Sequence, residues 1–150
     1  MTEATTNAPA GGTGATPETR SIVVSLPKHE ITISENGAVV RTITDFSTGR
    51  AGHLTPLIPD GKLDPVLRQR MHYSSKYKDK SGKGAAMPFA LFFAGGSGCA
   101  FHAGDPDTES HGCIHLKMPD AEWLFNWAGK HEVALQILGP NPLAKNLKTA

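Results

Sequence analysis

Residues 101–116 read FHAGDPDTESHGCIHL, and the organisation of the chain is read outward from them. The stretch holds one of only two cysteines and three of the seven histidines in 150 residues. Cys113 follows Ser110, His111 and Gly112, and His102 stands eleven positions upstream of the thiol. A thiol is a poor nucleophile and a thiolate a strong one, so a working cysteine needs a nearby base or electropositive surroundings. Gly112 supplies a position without a Cβ, where a substrate can come close to the backbone. The grouping has the form of a cysteine acyl-transfer site.

Around it the pattern is mainly β. Ser21–Leu26 and Glu30–Ser34 read as strands, and Asn36-Gly37 before Ala38–Thr44 is a two-residue hairpin signal. Asp45–Asp60 reads as a loop, Leu63–Met71 as a short strand or helix, and the lysine- and glycine-rich Ser74–Gly84 as a mobile surface loop. Phe89–Phe93 is a continuous apolar run that suits a buried strand. In the next strand, Cys99–His102, period-2 alternation sets Cys99 and Phe101 on one face and Ala100 and His102 on the other. Pro119 opens the one clear helix, Ala121, Leu124, Phe125 and Ala128 form its apolar stripe, and Gly129 ends it. Val133, Leu135 and Ile137 alternate in a final strand.

Four segments, in order, carry a family resemblance. Ser110-His111-Gly112-Cys113-Ile114 with the upstream Phe101-His102 resembles the signature of the L,D-transpeptidase catalytic domain. Ser47-Thr48-Gly49 followed by Thr55-Pro56 and Gly61 resembles that family's "STG…TP…G" segment, and Met87–Leu91 its approach strand. The resemblance implies a β-sandwich or barrel-like fold with one helix packed after the active-site segment. It implies a catalytic domain over residues 21–150, preceded by a tail over residues 1–20. That tail is rich in Thr, Ala, Gly and Pro and too poor in large apolar residues to offset its ordering entropy, so it reads as disordered.

The implied chemistry is cleavage of the L,D bond between the third and fourth residues of a peptidoglycan stem peptide. A terminal D-amino acid leaves, and a thioacyl-enzyme forms on Cys113. An amine from a second stem then makes a cross-link. Water in its place makes an L,D-carboxypeptidase that trims tetrapeptides to tripeptides, the runner-up reading. His102 is the expected base, oriented by the backbone carbonyl of Ala103. The N–H groups of Gly112 and Cys113 are the expected oxyanion donors. Ser110, His111 and His115 are expected to shape the pocket. Carbapenems are implied as acylating inhibitors, and no cofactor is implied. Two departures from the family stand out: the His102–Cys113 loop is shorter than in many relatives, and His115 stands where arginine is frequent. Arginine would clamp a carboxylate in a charged fork, which histidine does not reliably do at neutral pH.

Other readings compete. His111, Cys113 and His115 would share one face of an extended segment, and His102, Asp105 or Asp107 could complete a zinc set. Ligands one residue apart on a strand are less usual than zinc-knuckle spacing, which ranks that reading lower. A non-catalytic wall-binding module is a third class, disfavoured by retention of both thiol and histidine. Cys99 reads as a small buried hydrophobe, a disulfide with Cys113 stays open, and Asp105 and Asp107 read as solvated turn residues.

Composition sets outer bounds. The length suits one domain, and a monomer is expected. Net charge is +1, which predicts no nucleic-acid partner. No apolar run approaches the roughly 18 residues a bilayer span needs. The N-terminus has no basic segment followed by an apolar core, so an envelope or periplasmic site requires that an export signal has been removed. The alternative is the cytoplasm.

Overall fold

The structure, a computed structural model, describes residues 19–78 and 81–144. The expected tail therefore lies almost wholly outside the described residues. Its last member, Arg20, does not belong to a tail. It opens β1 (Arg20–Ser25), which pairs antiparallel with β2 (Glu30–Glu35), and β2 pairs in turn with β3 (Ala38–Ile43). The β2–β3 turn uses Asn36 and Gly37 at positive φ, as its sequence predicts.

The rest of the chain is β4 (Phe46–Ser47), β5 (Ile58–Lys78), β6 (Gly84–Phe93), β7 (Ala100–Ala103), β8 (Ile114–Leu116), α1 (Met118–Ala128) and β9 (Val133–Leu138). The strands hydrogen-bond in the order β3-β2-β1-β9-β5-β6-β7-β8-β4, an open sheet of nine. β5 joins its two halves. Ile58 to Lys62 pair with β9, and Leu63 already pairs with Phe93 of β6, a ladder that resumes from Arg68. The β5–β6 register shifts between Leu63 and Arg68, where Asp64 Oδ1 accepts the N–H groups of Val66 and Leu67 at 2.9 Å each. That local turn interrupts the β5–β6 ladder just after the strand has passed from β9 to β6.

Leu63–Met71 is therefore strand, not helix. Ser74–Lys78, expected in a loop, continues that strand as one arm of the β5–β6 hairpin. Part of Asp45–Asp60 is also strand, since β4 pairs with β8 through Phe46 and Leu116.

The main core collects alternate residues of β1, β2 and β9 with Leu91, Phe93, Phe101 and Ala103, closed by Ala121, Leu124 and Ala128 of α1. The helix is held across the sheet by Arg41 on Asp120 at 2.8 Å and Trp127 Nε1–H on Glu35 at 2.7 Å. Met87, Ala90, Phe92 and Ala100, one register step away, form a second small cluster on the opposite face. Cys113 packs against that second cluster.

Candidate active site

A cleft of about 620 Å³ opens on this second face, and Cys99, His102, His111, Cys113 and His115 all line it. β7 and β8 run parallel with His102 paired to His115, so their rings meet edge to face at 4.8 Å between centroids. His102 is only 6% exposed. Its Nδ1 lies 2.8 Å from the Ala103 carbonyl, and a carbonyl only accepts, so Nδ1 carries the hydrogen. Nε2 is left with the lone pair that a base requires.

Burial dominates both titrations. It pushes the His102 imidazole down to about 4, the Ala103 carbonyl opposing and His115 and His72 assisting. It pushes the Cys113 thiol up to about 11, against the Ala100 N–H, with Cys99 adding to the rise. At neutral pH the resting pair is therefore thiol and neutral imidazole, not a preformed ion pair.

The Ser47-Thr48-Gly49 and Thr55 segments prove to be the frame of the nucleophile loop. Thr55, 2% exposed, accepts the Gly49 N–H at 2.9 Å and donates to the Gly112 carbonyl at 2.8 Å. Thr48 O accepts the Ser110 N–H, and Ser110 O accepts the Arg50 N–H, both at 2.9 Å. A Cβ on Gly49 would stand 1.9 Å from the His53 carbonyl and 2.8 Å from Gly112 Cα, so no larger residue fits. Ser47 Oγ donates to the carbonyls of Thr108 and Asp105, tying down the loop that leaves β7.

Ser110 has a sharper role than pocket shaping. Its hydroxyl donates to the Cys113 carbonyl and accepts the Gly112 N–H at 3.0 Å. The Gly112 N–H, expected to face an oxyanion, is thus committed inside the loop. Gly112 has φ +126, a conformation that glycine adopts without strain, and a Cβ there would lie 3.0 Å from Cys99 Sγ. Cys99 packs on the main core as its alternation predicts, yet it also reaches the cleft beside Gly112.

His111 and His115 point to different work. The His111 ring stacks on Tyr77 with centroids 3.9 Å apart, and His53 meets it edge-on at 5.1 Å. His115 packs on Gly104, where a Cβ would sit 2.8 Å from its ring, and its Nδ1 faces the carbonyls of Thr108 and Asp105 at 3.2 and 3.3 Å. No group of three or more His, Cys, Asp or Glu among the described residues has an arrangement that could hold a metal ion. Asp105 serves its own turn, accepting the Asp107 N–H and the Thr108 hydroxyl at 2.9 Å each.

Three further cleft neighbours escape a reading of the sequence. Tyr77 lies in a lysine-rich stretch whose polarity reads as loop, while His53 and His72 are remote in sequence from the Cys113 motif. Strand pairing brings in Tyr77 and His72, and the bend between β4 and β5 sets His53 against Tyr77 and His111.

Comparison with known proteins now fixes the class. The sequence profile of the L,D-transpeptidase catalytic domain, YkuD, matches residues 19–135, and the chain belongs to that family. Among solved structures it is similar to an L,D-transpeptidase from Stackebrandtia nassauensis, with a TM-score of 0.69 and 23% identity over 83% of this chain and 58% of that one. L,D-transpeptidase 1 of Mycobacterium tuberculosis gives a TM-score of 0.64 and 23% identity, over 89% of this chain and 65% of that one. L,D-transpeptidase 3 of the same organism, solved with a faropenem-derived adduct, gives 0.63 and 21%, over 88% and 63%. The chain thus spans less than two thirds of the length of these structures. No curated protein sequence matches it. At these identities the likeness establishes the fold.

Proposed function

We propose that this chain is an L,D-transpeptidase that acts on peptidoglycan stem peptides in the cell envelope. Cys113 is the nucleophile and His102 the base. The observation that carries the reading is the His102 tautomer: Nδ1–H is committed to Ala103, and Nε2 is available in the cleft that Cys113 shares. Because the resting thiol is neutral, proton transfer to His102 accompanies attack rather than preceding it.

Sulfur bonds to the carbonyl carbon of the third stem residue while its proton passes to His102 Nε2. The tetrahedral intermediate collapses, His102 returns the proton to the departing amine of the D-amino acid, and a thioester on Cys113 remains. An acceptor amine then attacks the thioester, gives its proton to His102, and frees the thiol with a new peptide bond. With Gly112 N–H engaged by Ser110, the Cys113 N–H is the remaining oxyanion donor of the expected pair. Asp105 and Asp107 take no part.

A relative in this fold is described with a faropenem-derived adduct. By the same chemistry a carbapenem acylates Cys113 here, adding one drug mass to the peptide that contains it. The domain begins no later than Arg20, where β1 starts, and works as a monomer without metal or cofactor.

Mass spectrometry of a purified tetrapeptide stem, incubated with and without an excess of acceptor stem, tests the activity. A cross-linked dimer is expected. Tripeptide and free D-amino acid alone, with fast thioester turnover, would make the chain an L,D-carboxypeptidase. No acyl-enzyme at all on folded protein would overturn both.

A further inference from the structure

The acceptor's own chemistry makes a demand that Cys113 and His102 do not meet. A primary aliphatic amine reaches the cleft as an ammonium ion at neutral pH, and two of its three protons must leave before it becomes an amide. His102 Nε2 has one lone pair, which takes the proton released as nitrogen attacks the thioester. The other proton has to go first, because an ammonium nitrogen has no electron pair to attack with. That step calls for a second base in the same cleft.

His72 on β5 lines that cleft and has no part in the steps above. Its Nδ1 lies 2.5 Å from Gln69 Oε1, and an amide oxygen only accepts, so Nδ1 carries the hydrogen and Nε2 the lone pair. This is the tautomer of His102. Gln69 lies outside the cleft wall, and the two nitrogens of an imidazole point away from each other, so Nε2 turns toward the cavity. The side chain is half-buried, and Nε2 is open to solvent with no partner among the described residues. The ring meets Phe92 edge to face at 5.0 Å between centroids, and Cys113 packs on the same cluster as Phe92, so imidazole and nucleophile share one side of the sheet.

We propose that His72 is the acceptor-side base: its Nε2 takes the first proton from the incoming ammonium, and His102 takes the second as the carbon–nitrogen bond forms. The carbon–sulfur bond then breaks, His102 returns its proton to the Cys113 sulfur, and His72 gives its own to solvent. The assignment rests on the transpeptidase reading of the cleft. The other titratable groups that share the cavity with His72 are Tyr77 and Lys78 on its own strand and His102, Glu109, His111 and His115 on other elements. Glu109 can hold an ammonium, but a carboxylate is too weak a base to strip one at neutral pH, whereas an imidazole works near neutrality.

The test puts two acceptors in one reaction of the full chain with a tetrapeptide stem: an acceptor stem, whose amine is protonated at neutral pH, and hydroxylamine, which is largely neutral there. Mass spectrometry reads the ratio of cross-linked dimer to tripeptide hydroxamate, in which the rate of acylation cancels. His72→Phe keeps an aromatic ring on Phe92 and removes the base, so that ratio should fall about a hundredfold at neutral pH. The deficit should narrow as pH rises and the stem amine loses its proton unaided. His72→Gln keeps a polar side chain without a basic nitrogen, should act alike, and decides the matter if the first variant does not fold. An unchanged ratio would overturn the proposal. So would a fall that is the same at every pH, which is what a ring that only admits the bulkier acceptor would give. Hydroxamate from the wild type shows that the thioester forms, so either failure leaves the acyl-transfer reading intact. Neither hydroxamate nor dimer from folded wild type would remove that reading and this one with it.

Discussion

In β1, β2 and β9 the buried side chains are all aliphatic: Ile22, Val24, Ile31, Ile33, Val133, Leu135 and Ile137. Around Cys113 the buried set includes Ser47, Thr55, His102 and Ser110, and the backbone turns through a positive φ at Gly112. The first region is held by transfer of apolar surface from water, which is non-directional and tolerant of detail. The second is held by directed hydrogen bonds among groups that are costly to bury unpaired. One half of the sheet therefore carries stability, and the other holds a thiol and an imidazole in place with both kept neutral.

The largest test of that division is at the reacting atoms. Cys113→Ser should lower turnover by at least about a thousandfold, and His102→Ala by about 10²–10⁴-fold, with the melting temperature little changed by the first. Cys99→Ala, one strand away, should keep most turnover. A limiting alkylating reagent, followed by peptide mapping, separates the thiols. Turnover by Cys113→Ser would end the assignment.

Next comes a matched pair. Leu135→Ala should cost about 2–5 kcal/mol in denaturant unfolding and leave kcat near wild type once the protein is folded. Thr55→Val removes the hydroxyl that links Gly49 to Gly112, so it should cost less stability and far more turnover. If the two variants lose activity and stability in the same proportion, the division between regions fails.

Titration sharpens the same comparison, because the buried side chains of the aliphatic half carry no titratable group. As pH falls from 6.5 toward about 4, an unfolded His102 takes up a proton that the folded one refuses, so stability drops across that window. The loss approaches about 3 kcal/mol, and His102→Gln should flatten it. As pH rises from 9.0 toward about 11, the folded Cys113 keeps a proton that the unfolded chain has lost, and stability falls again. Chemical denaturation at stepped pH measures both arms. An acid arm as steep in His102→Gln as in wild type would assign it to other groups.

How much of this was legible in the sequence follows the same line. Alternation at Val133, Leu135 and Ile137 is a local signal, and so is the Asn36-Gly37 turn, and both appear as read. Cys113 and His102 were legible as a motif, with the Ala103 carbonyl where the resemblance implied. The reach of β5 was not, because Leu63–Met71 fits strand and helix alike and the lysine- and glycine-rich Ser74–Gly84 reads as loop. The engaged Gly112 N–H was hidden for a different reason. Which partner a backbone amide finds depends on a hydroxyl rotor two residues away, and composition and periodicity are silent on that.

The smallest effect concerns the hairpin, whose β5 arm touches the catalytic loop. Tyr77 stacks on His111 at 3.9 Å with an interplanar angle of 8°, so the end of β5 is coupled to the residue two before the nucleophile. A thioester waiting for a second stem survives only if water is kept off it. Burial of the cleft by that ring pair favours transfer, and an open cleft favours hydrolysis. Tyr77→Ala should therefore leave the rate of Cys113 acylation within about threefold, since a stacked pair is worth only about 0.5–1.5 kcal/mol. It should shift the products from cross-linked dimer toward tripeptide by a similar factor. Tyr77→Phe keeps the stacking face and should behave as wild type. Product ratios at fixed acceptor concentration, read by mass spectrometry, give the partition directly. An unchanged ratio in Tyr77→Ala would return the hairpin to the purely structural half of the molecule.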